Sequence, residues 1–254
     1  YTTLFRSEAL KKAKAGIEKN MDGAIKRGKM SEDEKAEAMQ GIQFTTEFNA
    51  LKADILVEAV LEKLDIKVDL FKKLAAQNSD EAILATNTSS IPITRIAREI
   101  PFPGRVVGMH FFNPAHIMKL VEVVSGASTE LAVAELTFAL AEKMGKKAVM
   151  AKDSPGFIVN RVARHFYVES LQVLEENVAD HETIDKLMQN IGFRMGPFQL
   201  MDLIGVETNL SVTTAMYEAF NFDQKFRPSR IQQQKADAGH HGRKSGKGFY
   251  RYEE

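Results

Sequence analysis

The sequence contains no cysteine. Disulfides and thiolate-held metals are therefore excluded, no metal site is expected, and a reducing, cytoplasmic setting fits. There is no excess of charge of either sign, since 34 basic residues balance 34 acidic ones. No global field draws the chain toward nucleic acid or an anionic membrane. No apolar run approaches the length needed to span a bilayer. The opening residues lack a basic flank followed by an apolar core, so no secretory signal is read there. No internal repeat or low-complexity linker breaks the pattern. What is present is 254 residues, enough for one large or two ordinary domains with a sizeable core.

YTTLFRS, residues 1–7, has no initiator Met and reads as an assembly artefact fused to a gene fragment; a natural strand is the alternative. From residue 8 to 153, helix-like and strand-like segments alternate. Residues 8–29 have helical spacing, and Ser31 is placed to cap a short helix closed by Gly41. Strands are expected at 42–46 (IQFTT), at 53–60 (ADILVEAV, as if buried on both faces), and in AILATN, VVGMHFF, LVEVV and KKAVMAK. Helices are expected at 64–77, within IPITRIAREI and at 129–145. Such alternation predicts an α/β sheet covered by helices on both faces, with a boundary near Asp153.

The remainder, 154–254, reads as all-α. Ser154 is the expected N-cap and Pro155 the first residue of a helix whose apolar face carries Ile158, Val162, Phe166 and Leu174. A second helix ends at Gly192, MGPF reads as a turn, and two more helices fall at 205–220 and 228–238. GHHGRKSGKGFYRY closes the chain, rich in glycine and basic residues.

An alternating sheet gathers functional groups beyond the carboxyl ends of its strands. Glu62, Lys67, the run Asn87-Thr88-Ser89-Ser90, His110 and Asn113 all fall there. His110 and Glu122 stand twelve positions apart in otherwise apolar strands, with the Asn113-Pro114 turn between them. If the chain doubles back at that turn, the carboxylate holds one imidazole tautomer, and the free ring nitrogen serves as base or acid near neutral pH. The competing reading is a satisfied core histidine and a strand-edge glutamate. His116, in the turn, is a second base candidate but a solvated one.

ATNTSSIPIT, GMHFFNP, MKLVEVV, KDSPGFIVNR, MGPF and RKSGKGFY occur in this order. From about residue 8 to its end the chain resembles the 3-hydroxyacyl-CoA dehydrogenase family, most closely the bacterial 3-hydroxybutyryl-CoA enzymes. The resemblance implies a Rossmann-like NAD-binding domain over 1–153 and a helical domain for dimerisation and substrate over 154–254. It implies oxidation of a short (S)-3-hydroxyacyl-CoA by NAD, with NADP left open, in a cytoplasmic homodimer that binds neither nucleic acid nor membrane. His110 would be the general base and Glu122 its orienting carboxylate. Ser89 would bind the substrate oxygen near the nicotinamide, and Asn160 would hold the thioester carbonyl. Glu62, Asn87 and Asn113 would lie at the cofactor, and Lys67 at both cofactor and CoA. Simpler readings stand beside these: Ser89 as a helix cap, Asn160 as a first-turn polar residue, Lys67 as a solvated lysine.

The family opens with a strand, a Gly-x-Gly-x-x-Gly turn and a helix, then a second strand ending in an acidic residue. None of the 16 glycines here has that spacing, so the Rossmann-like domain reads as incomplete. Weak NAD binding and exposed sheet edges are the expected result. The tail GRKSGKGFY does not have P-loop spacing and is read as structural. The rival functions are a gulonate-type sugar-acid dehydrogenase, disfavoured if Lys67 serves a CoA pocket, and a non-catalytic crystallin-like protein.

Overall fold

The computed structural model of the protein describes residues 7–252. The reading of residues 1–7 as artefact or strand therefore falls, apart from Ser7, outside the described residues. Helices α1 (Ser7–Lys26) and α2 (Glu32–Gln40) come first. Ser31 caps α2 reciprocally: its hydroxyl accepts from the Glu34 amide, and the Glu34 carboxylate accepts from the Ser31 amide. Neither helix buries a residue. Residues 42–46 are not a strand but irregular chain. A β-prone run becomes a strand only beside a hydrogen-bonding neighbour, and none pairs with it among the described residues.

Next come β1 (Ile55–Glu58), α3 (Leu64–Gln77), β2 (Ile83–Thr86), α4 (Ile93–Ala97), β3 (Val106–Phe111), β4 (Leu120–Ser125), α5 (Leu131–Lys143) and β5 (Lys147–Lys152). The five strands lie side by side in chain order, parallel except for the antiparallel pair β3–β4. Side chains alternate between the faces. Leu56, Leu84, Val106 and Val124 pack on one face against Phe71 and Leu74 of α3 and Ile93 and Ile96 of α4. Ala85, Val107, Met109, Val121 and Val123 pack on the other against Val133, Ala134 and Ala141 of α5. β1 is not buried on both faces: Val57 is 48% exposed, because the cover given by α5 does not extend to this edge strand.

This alternation places the polar groups. Two residues beyond Leu56, Leu84 and the position of Gly108, on the α3–α4 face, stand Glu58, Thr86 and His110, and Glu122 pairs with His110 across β3–β4. Gly108 is required there, because a Cβ would come within 2.8 Å of both Ile93 and Val124.

Helices α6 (Val159–Glu175), α7 (His181–Asn190), α8 (Pro197–Ile204), α9 (Val206–Ala219) and α10 (Arg230–Asp237) complete the fold. Ser154 and Pro155 do not start α6. Left-handed backbone at Gly156 and Phe157 delays the helix to Val159. Its buried stripe is Arg164, Tyr167, Ser170 and Leu171, while Val162 is 70% exposed and so does not belong to the packed face. Pro197 of MGPF opens α8 instead of forming a turn only. The glycine-rich tail packs back onto α8, where buried Asp202 accepts from the Phe249 and Tyr250 amides and the Tyr252 hydroxyl. Among the described residues no helix is long and apolar enough to cross a membrane.

Candidate active site

The antiparallel register of β3 and β4 sets His110 directly opposite Glu122. His110 Nδ1 lies 2.7 Å from Glu122 Oε2, and both side chains are buried. An ionised carboxylate can only accept, so Nδ1 carries the hydrogen and Nε2 is the free acceptor. The His110 ring lies 4.6 Å from that of Phe112 and 5.7 Å from that of Phe157, so two aromatic rings pack about the imidazole. The other oxygen, Glu122 Oε1, accepts from the Ile158 and Val159 amides, each at 2.9 Å. Glu122 thus takes the place of a cap at the start of α6, where the helix dipole favours negative charge. Burial opposes ionisation of Glu122, but the bonds from His110, Val159 and Ile158 outweigh it and hold the carboxyl below its ordinary range.

Ser89 sits in the turn after β2. It does not cap the next helix: Thr88 Oγ1 accepts from the Ile91 amide, and the Ile93 and Thr94 amides at the start of α4 are taken by Asp153. The Ser89 hydroxyl is held only loosely, at 3.3 Å from Glu62 Oε1. Asn160 Nδ2 reaches the Ser89 carbonyl at 3.5 Å, so the turn and the first turn of α6 face each other across the domain boundary. Asn87 is half-buried, and its Oδ1 accepts from the Phe111 amide at 2.8 Å. Asn113 lies exposed in the β3–β4 turn, and no hydrogen bond joins it to the His110–Glu122 pair. His116 is exposed in the same turn, as the sequence suggests.

Lys67 is not a solvated lysine: it is 1% exposed. Its ammonium donates to both oxygens of Glu58, at 2.9 and 3.0 Å, and pairs with Glu62 Oε2 at 3.3 Å. Glu62 Oε1 in turn accepts from the Thr88 hydroxyl and the Ser89 and Ser90 amides. Burial works against the charge of Glu62, while Thr88, Lys67 and the turn amides hold its carboxyl below the usual range. Glu58, Thr86 and Phe157 were not singled out from the sequence. The signal for Glu58 was available, since it is a carboxylate inside the apolar run ILVEAV, the same anomaly that marks Glu122.

Partly exposed Glu62 and the half-buried Ser89 and Ser90 offer acceptors and donors for a ribose at the carboxyl ends of β1 and β2. A cavity of about 500 Å³ runs along β1, lined by Thr45, Leu51, Ile55, Val57 and Leu70 among others, and Glu62, Ser89 and Ser90 do not line it. The polar groups at the ends of β1 and β2 therefore suit a ribose. No glycine turn in the sequence provides for the pyrophosphate.

Residues 3–154 match the NAD-binding domain of 3-hydroxyacyl-CoA dehydrogenase, and residues 156–252 match its C-terminal domain. A 3-hydroxyadipyl-CoA dehydrogenase of Escherichia coli is 44% identical over 96% of this chain, and the chain spans 52% of that relative's length. A probable 3-hydroxybutyryl-CoA dehydrogenase of Deinococcus radiodurans is 39% identical over 97% of this chain and 89% of its own. The crystal structure of (S)-3-hydroxybutyryl-CoA dehydrogenase from Ralstonia eutropha superposes with a TM-score of 0.95 at 37% identity, covering 98% of this chain and 89% of that one. Two adjoining family domains and relatives aligned over nearly the whole length place this chain in the 3-hydroxyacyl-CoA dehydrogenase family.

Proposed function

We propose that the chain carries the proton-transfer and substrate-orienting machinery for oxidation of a short (S)-3-hydroxyacyl-CoA, such as 3-hydroxybutyryl-CoA, to the 3-oxoacyl-CoA, and for the reverse reaction. The observation that carries this is the buried His110–Glu122 pair at 2.7 Å, with Nε2 left free as a base. The Ser89 hydroxyl and His110 Nε2 grip the 3-hydroxyl, and Nε2 takes its proton as hydride leaves C3. Glu122 stabilises the imidazolium that forms. Asn160 holds the thioester carbonyl. NAD, when bound, supplies the hydride acceptor. Glu62 holds its ribose end, and buried Lys67 acts there through Glu62, with Asn87 and Asn113 nearby. The buried ammonium of Lys67 favours an indirect role at the CoA side over direct contact with its phosphates. The half-chains meet at Asp153. The exposed apolar residues Leu187, Ile191, Phe193 and Leu203 of the helical part suit a homodimer contact, and the setting is cytoplasmic fatty-acyl metabolism.

The chain alone is expected to bind NAD⁺ weakly, since its sequence has no glycine turn, and micromolar affinity by calorimetry would overturn that point. Joined behind the whole opening of a relative, from its first strand and Gly-x-Gly-x-x-Gly turn through the second strand with its acidic end, it should oxidise 3-hydroxybutyryl-CoA in preference to gulonate. His110→Ala in that protein should lower turnover by about 10² to 10⁴. If the fusion oxidises no 3-hydroxyacyl-CoA, the proposed reaction is wrong.

A further inference from the structure

Lys67 stands in the first turn of α3, where the helix dipole disfavours a cation, and it is buried. Burying an ion pair is costly, and an apolar pair of similar volume would suit a simple core at least as well. The pair instead sits at the carboxyl end of the sheet. Glu58 is fixed on four sides, by the two contacts to Lys67, by the Val60 amide at 3.0 Å and by the Thr86 hydroxyl. Lys67 has one donor left over, and it goes to Glu62 Oε2. This leaves Glu62 Oε1 facing the turn, where it accepts from the Ser89 amide at 2.8 Å and the Ser90 amide at 3.0 Å.

We infer that Glu58 is a positioning residue for the substrate-facing turn: acting through Lys67, it fixes one oxygen of Glu62 and so aims the other at the backbone of Ser89 and Ser90. The inference rests on the proposed role of Ser89. It adds a residue that touches neither substrate nor cofactor. With Glu58 neutral, the Lys67 ammonium turns wholly to Glu62 and draws its carboxylate away from the turn. The Ser89–Ser90 backbone then loses its anchor, and with it the placing of the Ser89 hydroxyl that the proposed reaction uses.

Amide hydrogen exchange on the 254-residue chain tests this without turnover, so a failed dehydrogenase assay leaves the result standing. In Glu58→Gln the Ser89 and Ser90 amides should exchange about tenfold faster, and at least about threefold faster, while Leu84 and Val106 in the strands stay unchanged. Lys67→Met lowers overall stability and so speeds every amide that exchanges through global unfolding, but Ser89 and Ser90 should show the same excess over Leu84 and Val106, and the double variant no more excess than either single one, as expected of residues acting in series. A smaller effect, an equal acceleration throughout the sheet, or additive single effects would overturn the inference. Should the variants not fold, the unaltered chain decides. Protected Ser89 and Ser90 amides support the relay, and exchange as fast as in the exposed turn at Ala115 and His116 refutes it.

Discussion

Among the described residues each half of the molecule buries one long cation, and the two are treated in opposite ways. Lys67, under the sheet, is met by two carboxylates. Arg164, inside the helical half, is 3% exposed and has no carboxylate partner among the described residues. One of its terminal nitrogens donates to the Asn209 carbonyl, the Asn209 side chain and the Thr213 hydroxyl, while its Nε has no partner. Burial pulls the Arg164 guanidinium down to about 10. Neutral dipoles suffice where the group only joins α6 to α9. Full counter-charges appear where the group adjoins the Ser89–Ser90 turn, beside the proposed substrate site. Charge compensation thus distinguishes the two cations more clearly than burial does.

The sharpest way to break this comparison is to remove the cations. Lys67→Met leaves two carboxylates near each other with no cation between them, and urea unfolding should show a loss of about 3–5 kcal/mol. Arg164→Met leaves only neutral acceptors behind, and should cost about 1–3 kcal/mol. Equal losses would show that the two sites do not differ in kind.

Acid and base sharpen the contrast further. Glu122 and Glu62 titrate below their unfolded value of 4.5 in the folded protein. Their ionised forms therefore stabilise the fold above pH 4.5, and that contribution is lost as pH falls from 4.5 through the depressed folded values. Glu122→Gln should flatten this acid limb in a pH series of unfolding curves. Arg164 is also lowered on folding, to about 10, so the slope has the same sign at the other end of the scale, but here the charged form burdens the fold and stability grows as pH rises through 10 and the charge is lost. The smallest expected effect lies away from both sites. Ser31→Ala removes the reciprocal cap of α2 and should cost about 1 kcal/mol, read as lost helical ellipticity with the two buried cations untouched.

Much of this was legible in the sequence because two periodicities carried it. Strand alternation put His110 and Glu122 on one face, and a turn between them closed the pair. Other features were hidden for identifiable reasons. The run at 42–46 has strand composition, but pairing is a property of neighbours and not of the segment. α6 begins late because the groups that satisfy its first amides come from Glu122, 36 and 37 residues earlier, where no local capping rule looks. Lys67 was open to reading as solvated because lysines are rarely buried unless paired, and the pairing arises only from the packing of α3 on β1. Val162 looked like core because helical spacing shows which residues share a face, not whether another element covers it.

The two oxygens of Glu122 serve different masters, one the imidazole and the other the first amides of α6. Any swing of the helical half that stretches the second set of bonds alters the charge density felt by the first. The affinity of the Glu122 carboxyl for a proton and the angle between the halves are therefore linked variables, and each must shift the other by the same free energy.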